Sequence, residues 1–331
     1  MNISNSITAP ILLIVVFVMI ILFQSIFLQG PNVVIETPGI NQTSGENFDD
    51  YYTDYIMYNN VKYNPERILR LMIIACICTF LLPAVFYINF KRLNWFSNLK
   101  LSFLNVRLIP FVIYMFFVLI FGTVLLDYLF FSVSGKEFVF PKIDTGGNIV
   151  FNIGVFLVFV FIPAACEEII FRAVLVSEYE NYGFLISLFI TSAAFAMSKF
   201  SLQLFCAYFF ASVIFFICLK ITNSIIVPVI LNTGYSFFII YIEDALMDIL
   251  KFEQNKFIFL FSLCIFFIVS LYLSLSAMES HYHRKAYKNE PSPVKISESQ
   301  DIITNFVKIF LSPTFIAVII IFFVYISIVA E

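Results

Sequence analysis

Residues 149–175 read IVFNIGVFLVFVFIPAACEEIIFRAVL, an apolar run long enough to cross a bilayer, with Glu167, Glu168 and Arg172 in its second half. A charged side chain in the hydrocarbon core costs roughly 2.5–3.5 kcal/mol on insertion scales. Three charges so close together therefore need a structural or a chemical reason. On a helix, Glu168 and Arg172 are four residues apart and share a face, so they can pair, whereas Glu167 is turned about 100° away and stays available. A carboxylate in a low-dielectric pocket suits a general base that activates water. The competing reading is a purely structural ion pair between packed helices.

The surrounding chain shows that the solvent is lipid. Hydrophobic residues make up 61% and charged residues 12%, and Phe occurs 44 times in 331 residues. Ordinary globular domains carry about 25% charged residues, so the expected fold is an all-α, polytopic transmembrane helix bundle with membrane lipid as its first partner. A net charge of -3 without a basic tail excludes nucleic acid. The six cysteines all fall in apolar runs, where they read as small apolar fillers and not as a disulfide or zinc framework. Cys166 abuts Glu167 and is the one cysteine near the charges, but Arg172 lies too far round the helix to activate it.

Runs of about 20 apolar residues match a hydrocarbon core of about 30 Å. They occur near 8–28, 68–90, 108–131, 149–175, 184–200, 202–221, 224–242, 257–277 and 305–330, and the pair between 184 and 221 is hardest to separate. The first run lacks a preceding basic residue and a cleavage pattern, so residues 1–30 are expected to form a retained anchor. Residues 31–67 then form an extracytoplasmic segment, 68–277 the bundle, 278–304 a basic loop and 305–331 a C-terminal helix. Lys91, Arg92, Lys100 and Arg107 crowd one short loop, and Arg284, Lys285, Lys288 and Lys295 another. The excess of positive charge places both in the cytoplasm, with the N-terminus inside and the C-terminus outside. With the fourth span ending near 175, the charged cluster is expected to open inward.

At these residues the chain resembles the CPBP family of intramembrane endopeptidases, also called Abi, which includes the CAAX prenyl endopeptidase and bacteriocin-processing enzymes. Glu167-Glu168-x-x-x-Arg172 is similar to the family's first motif. Its second, Phe-x-x-x-His, is matched in place by Phe195-Ala196-Met197-Ser198-Lys199. Its third, His-x-x-x-Asn a few residues after a proline, is matched by Asn232 and Ser236 after Pro228. The resemblance covers about 100–245 and departs at both motif histidines, and the chain's only histidines, His281 and His283, lie in the second basic loop. His281-x-His283 reads as a solvated loop without a third metal ligand.

The resemblance implies cleavage of a peptide bond in a membrane-associated protein or peptide. Glu167 would be the general base, Arg172 would orient Glu168, and Lys199, Asn232 and Ser236 would take altered supporting roles, the last two as oxyanion donors. An ion pair between Glu167 and Lys199 would instead make the cluster neutral and Glu167 a poor base, leaving a pseudoprotease that serves as a binding scaffold. A transporter is the third class, but the paired half-helices that would mark one are not seen. Members of the family are often labelled metalloproteases, yet two adjacent carboxylates do not supply the three protein ligands of zinc. No metal or other cofactor is expected.

Several other features read as scaffold. Tyr51, Tyr52, Tyr55 and Tyr58 suit an interfacial belt. Asp127 and the pair Glu243 and Asp244 fall where helix ends are expected to meet water, and residues 291–303 read as a linker. The abundance of Phe, Ile, Asn and Lys points to an AT-rich bacterial genome and hence to a bacterial cytoplasmic membrane. Substrate identity and oligomeric state are not encoded in these patterns.

Overall fold

The computed structural model describes residues 3–27, 56–58, 61–63, 65–92, 100, 102, 105–134, 143–145, 149–251, 256–287 and 299–329. Among them, seven helices are long and apolar enough to cross a membrane, and an eighth span is a pair, Thr304–Phe310 and Pro313–Ile328, bent by 56°. The protein is a polytopic helix bundle, as its composition requires. Tyr51, Tyr52, Tyr55 and most of the proposed linker lie outside the described residues, whereas Tyr58 ends a short strand.

The helices used below are α1 (Ile3–Leu22), α2 (Pro65–Cys76), α3 (Leu82–Phe90), α4 (Ile109–Ser134), α5 (Ile149–Phe156), α6 (Ile162–Glu168), α7 (Val176–Tyr179), α8 (Phe184–Ser198), α9 (Phe205–Thr222), α10 (Ile226–Phe238), α11 (Asp244–Lys251), α12 (Lys256–Tyr287), α13 (Ser299–Phe310) and α14 (Pro313–Val329). Three short strands, β1 (Ile56–Tyr58), β2 (Val61–Tyr63) and β3 (Ile143–Thr145), form an antiparallel sheet in the order β2-β1-β3. The sequence reading did not name this sheet. Its pairing of β1 with β3 fixes the segments before α2 and after α4 at one end of the bundle.

The opposite end gathers the basic loops. Ser102 Oγ donates to Asn223 O at 2.6 Å, and Ile225 N donates to Lys100 O at 3.3 Å. Lys220 Nζ lies 2.7 Å from Glu180. Thr8 and Tyr87 hydroxyls meet at 3.3 Å near this end, and Tyr325 donates to Gln24 at 2.7 Å just past the other end of α1. The N-terminal helix therefore starts at this end, and the last span finishes beside the far end of α1.

Two expectations about spans change. The apolar run at 184–200 yields α8, only 15 residues long, or about 22 Å, so it is not a full span. It ends at Lys199, after which Phe200 turns left-handed at φ 49° and Ser201 Oγ accepts from Leu204 N at 3.2 Å to start α9. The fourth span is longer than expected, reaching Tyr182 instead of stopping near 175, which leaves Glu167 near its middle. The second basic loop is also shortened, because α12 runs to Tyr287.

Local π-helical turns interrupt the spans at Ile77–Leu81, Leu157–Phe161 and Ile169–Leu175. The first two have a simple cause. Pro83 and Pro163 lack an N–H and would press on the carbonyls of Thr79 and Phe159, so the backbone widens just before each proline. The third contains no proline; it starts directly after Glu168 and includes Arg172, and π-turns of this kind often accompany functional sites.

Candidate functional site

The six residues singled out in the sequence sit close together, supplied by α6 and the π-turn after it, the end of α8, and α10. Glu168 is fully buried and its Oε2 lies 3.0 Å from Arg172 Nε. Arg172 also donates to Ser212 Oγ at 2.8 Å and to Ser212 O at 3.3 Å, and its guanidinium carbon is 4.7 Å from the Phe195 ring centroid and 5.2 Å from that of Phe215. A planar cation held between two aromatic faces and a carboxylate is nearly stripped of water. This pair is a fixed strut between α6, α8 and α9.

Glu167 is held differently. Its Oε1 lies 2.6 Å from Lys199 Nζ, and the Lys199 ammonium stands 5.0 Å from the Phe195 centroid and 5.8 Å from that of Tyr208. Phe195 thus offers a face to both cations, which gives the Phe-x-x-x-Lys spacing a physical purpose. Lys199 keeps 22% of its side chain accessible, and with Glu167, Ser236 and Tyr208 it lines a cavity of about 150 Å³. Such a space holds about five waters.

Asn232 joins the two glutamates. Its amide nitrogen donates to Glu168 Oε1 at 2.9 Å and to Glu167 Oε2 at 3.2 Å, with Ala164 O at 3.4 Å. A primary amide has only two N–H donors, so Asn232 is committed to positioning the carboxylates and has none left for an oxyanion. Ser236, one turn further along α10, reaches the cavity instead. Sequence reasoning missed Tyr208 and Met72, which also line it; no spacing in the chain marks either.

The cavity runs from Glu167 and Lys199 past Phe159 and Ile240 to Met72 and to Ile143 of β3. It therefore leads toward the sheet end and not toward the end where Lys100 and Lys220 lie, which is where the sequence reading expected it to open. The cause is the extra length of the fourth span, which moves Glu167 away from the basic end.

Asp127 and Glu243 also differ from expectation. They are 2% and 1% exposed and lie near each other, with Tyr235 and Thr123 beside them. They are a second buried polar pair and not helix ends meeting water. The cysteines are unpaired, with Cys76 and Cys166 buried near Glu167. His283 pairs with Glu279 one turn away at 3.3 Å.

A zinc ion does not fit these donors. The two carboxylates are already paired with Lys199 and Arg172, and no group of three His, Cys, Asp or Glu side chains converges among the described residues.

Fold and site together define a polytopic membrane protein whose buried ion pairs border an intramembrane cavity. Residues 149–238 match the family model of the type II CAAX prenyl endopeptidase Rce1-like proteins, a segment that lies within the 100–245 region where the resemblance was seen. Comparisons with curated proteins and with solved structures find no match.

Proposed function

We propose that the protein is a glutamate-dependent intramembrane endopeptidase that cleaves a membrane-associated protein or peptide. The observation that carries this reading is the division of labour at the site: Glu168 and Arg172 are sealed, while Glu167, Lys199 and Ser236 form the wall of a cavity large enough for water. The match to a family of CAAX-type endopeptidases supports it.

In this mechanism a cavity water attacks the scissile carbonyl carbon while Glu167 takes its proton and passes it to the departing amine nitrogen. An ammonium has three N–H donors. Lys199 directs one at Glu167, and the others serve the developing oxyanion together with the Ser236 hydroxyl. Asn232 and the Glu168–Arg172 strut hold Glu167 in place without touching substrate.

Excess positive charge in short loops marks the cytoplasmic side. On that rule the N-terminus is inside a bacterial cytoplasmic membrane, and the cavity leads outward. The substrate is then a membrane-tethered chain whose cleavage site lies toward the outer face. A second reading, a pseudoprotease that binds a membrane partner, is favoured by one feature: both Glu167 oxygens are engaged, by Lys199 and by Asn232.

The experiment is deletion of the gene and its return as wild type or as Glu167→Gln at equal membrane levels, followed by mass spectrometry of membrane-protein N-termini. New termini on outer segments that require Glu167 are expected. Equal rescue of a deletion phenotype by both forms, without such termini, establishes the scaffold instead.

A further inference from the structure

At the basic end, remote from Glu167, a second cavity of about 370 Å³ lies between the start of α4 and the ends of α7 and α9. We propose that it binds the phosphate headgroup of an anionic phospholipid.

Its walls carry Lys100, Lys220, Glu180 and the imidazole of His281. Glu180 receives both ammoniums, with Lys220 Nζ at 2.7 Å and Lys100 Nζ at 3.8 Å. One carboxylate is thus shared by two cations, leaving one positive charge in excess. Lys220 is held firmly, its side chain 7% exposed and its ammonium 5.3 Å from the Phe216 centroid. The C-terminus of α9 is capped in part by neutral groups. Thr222 Oγ1 caps Cys218 O at 2.7 Å, Asn223 N caps Leu219 O at 2.8 Å and Ser102 Oγ takes Asn223 O. Asn105, on the opposite wall, caps the turn that leads into the 26-residue helix α4, so the positive end of that helix dipole adds to the field.

Size and surroundings favour a lipid over a free ion. The cavity falls in the range of small-molecule sites and is far larger than a halide needs. From its edge, Ile109, Ile113 and Phe117 follow one another along α4 at four-residue spacing, 40%, 48% and 44% exposed. They offer an apolar track for an acyl chain beneath the headgroup. Basic pockets near the cytoplasmic surface recognise anionic headgroups by this combination of charge and depth.

The test is native mass spectrometry of the full chain, delipidated and titrated separately with phosphatidylglycerol, phosphatidylcholine and inorganic phosphate. Phosphatidylglycerol is expected to bind about tenfold more tightly than phosphatidylcholine. Lys100→Ala combined with Lys220→Met should erase that preference, and Glu180→Gln, which keeps shape and removes the competing carboxylate, should increase it. A preference unchanged by the lysine variant and by Glu180→Gln overturns the proposal. So does a charge-dependent response to inorganic phosphate without one to phosphatidylglycerol, which assigns the site to a soluble phosphate.

Discussion

Glu167 and Glu168 are neighbours in the chain, each has a cation within 3.0 Å, and Asn232 touches both, yet their surroundings differ. Glu168 and Arg172 retain about 1% accessibility or less at their side chains, whereas Lys199 keeps 22% and faces a cavity. A buried pair without water is valuable only as a pair, since loss of either member strands the other. A pair beside water can separate at modest cost and lend its groups to chemistry. One residue of helical rotation thus converts the same side chain from strut to candidate base.

The largest consequence concerns the strut. Arg172→Leu leaves Glu168 buried without its cation, and a loss of about 3–5 kcal/mol is expected, read as a collapse of folded yield and of the thermal transition in detergent. The double variant Glu168→Leu with Arg172→Leu should recover much of that loss, because it strands no charge. If Arg172→Leu alone keeps wild-type stability, the contrast between the two pairs is unfounded.

The cavity pair should respond in the opposite sense, with large effects on cleavage and small ones on folding. Glu167→Gln is expected to abolish Glu167-dependent termini while costing no more than about 2 kcal/mol, since cavity water can solvate the Lys199 ammonium left behind. Lys199→Met should reduce cleavage by about a hundredfold, the order of one lost oxyanion donor. Unchanged cleavage in Lys199→Met would show that Lys199 only neutralises Glu167, removing its role in the proposed mechanism.

Much of this was legible because it depends on local spacing. The Glu168–Arg172 pair follows from a four-residue interval, and Lys199 opposite Glu167 follows from the resemblance to the second family motif. Asn232 was legible as a member of the site but not in its role, because only the packing of α10 against α6 shows that both its donors are spent on carboxylates. The direction of the cavity was hidden for a different reason. Hydropathy falls gradually after Arg172, and a span end taken at 175 and one observed at Tyr182 place Glu167 at different depths. The strands β1 and β3 gave no signal either, being three residues each and paired across two intervening spans.

The least legible polar feature, Asp127 with Glu243, gives the mildest expected effect and a third point of reference for the two glutamates. These acids come from α4 and from the turn after α10, so no sequence interval could join them, and in isolation each looked like a helix end. Two carboxyl groups buried side by side can hydrogen-bond each other only if one of them carries a proton and acts as a neutral donor. An amide can take that part. Asp127→Asn should therefore change stability by less than about 1 kcal/mol, whereas Asp127→Leu, which leaves Glu243 without its partner, should cost about 1–3 kcal/mol, both read from thermal unfolding in detergent. Glu168→Gln lacks this tolerance because its partner is a permanent cation. A loss with Asp127→Asn as large as that with Asp127→Leu would mean that the acids hold a charge, and the sealed Glu168–Arg172 pair would no longer be distinct from them.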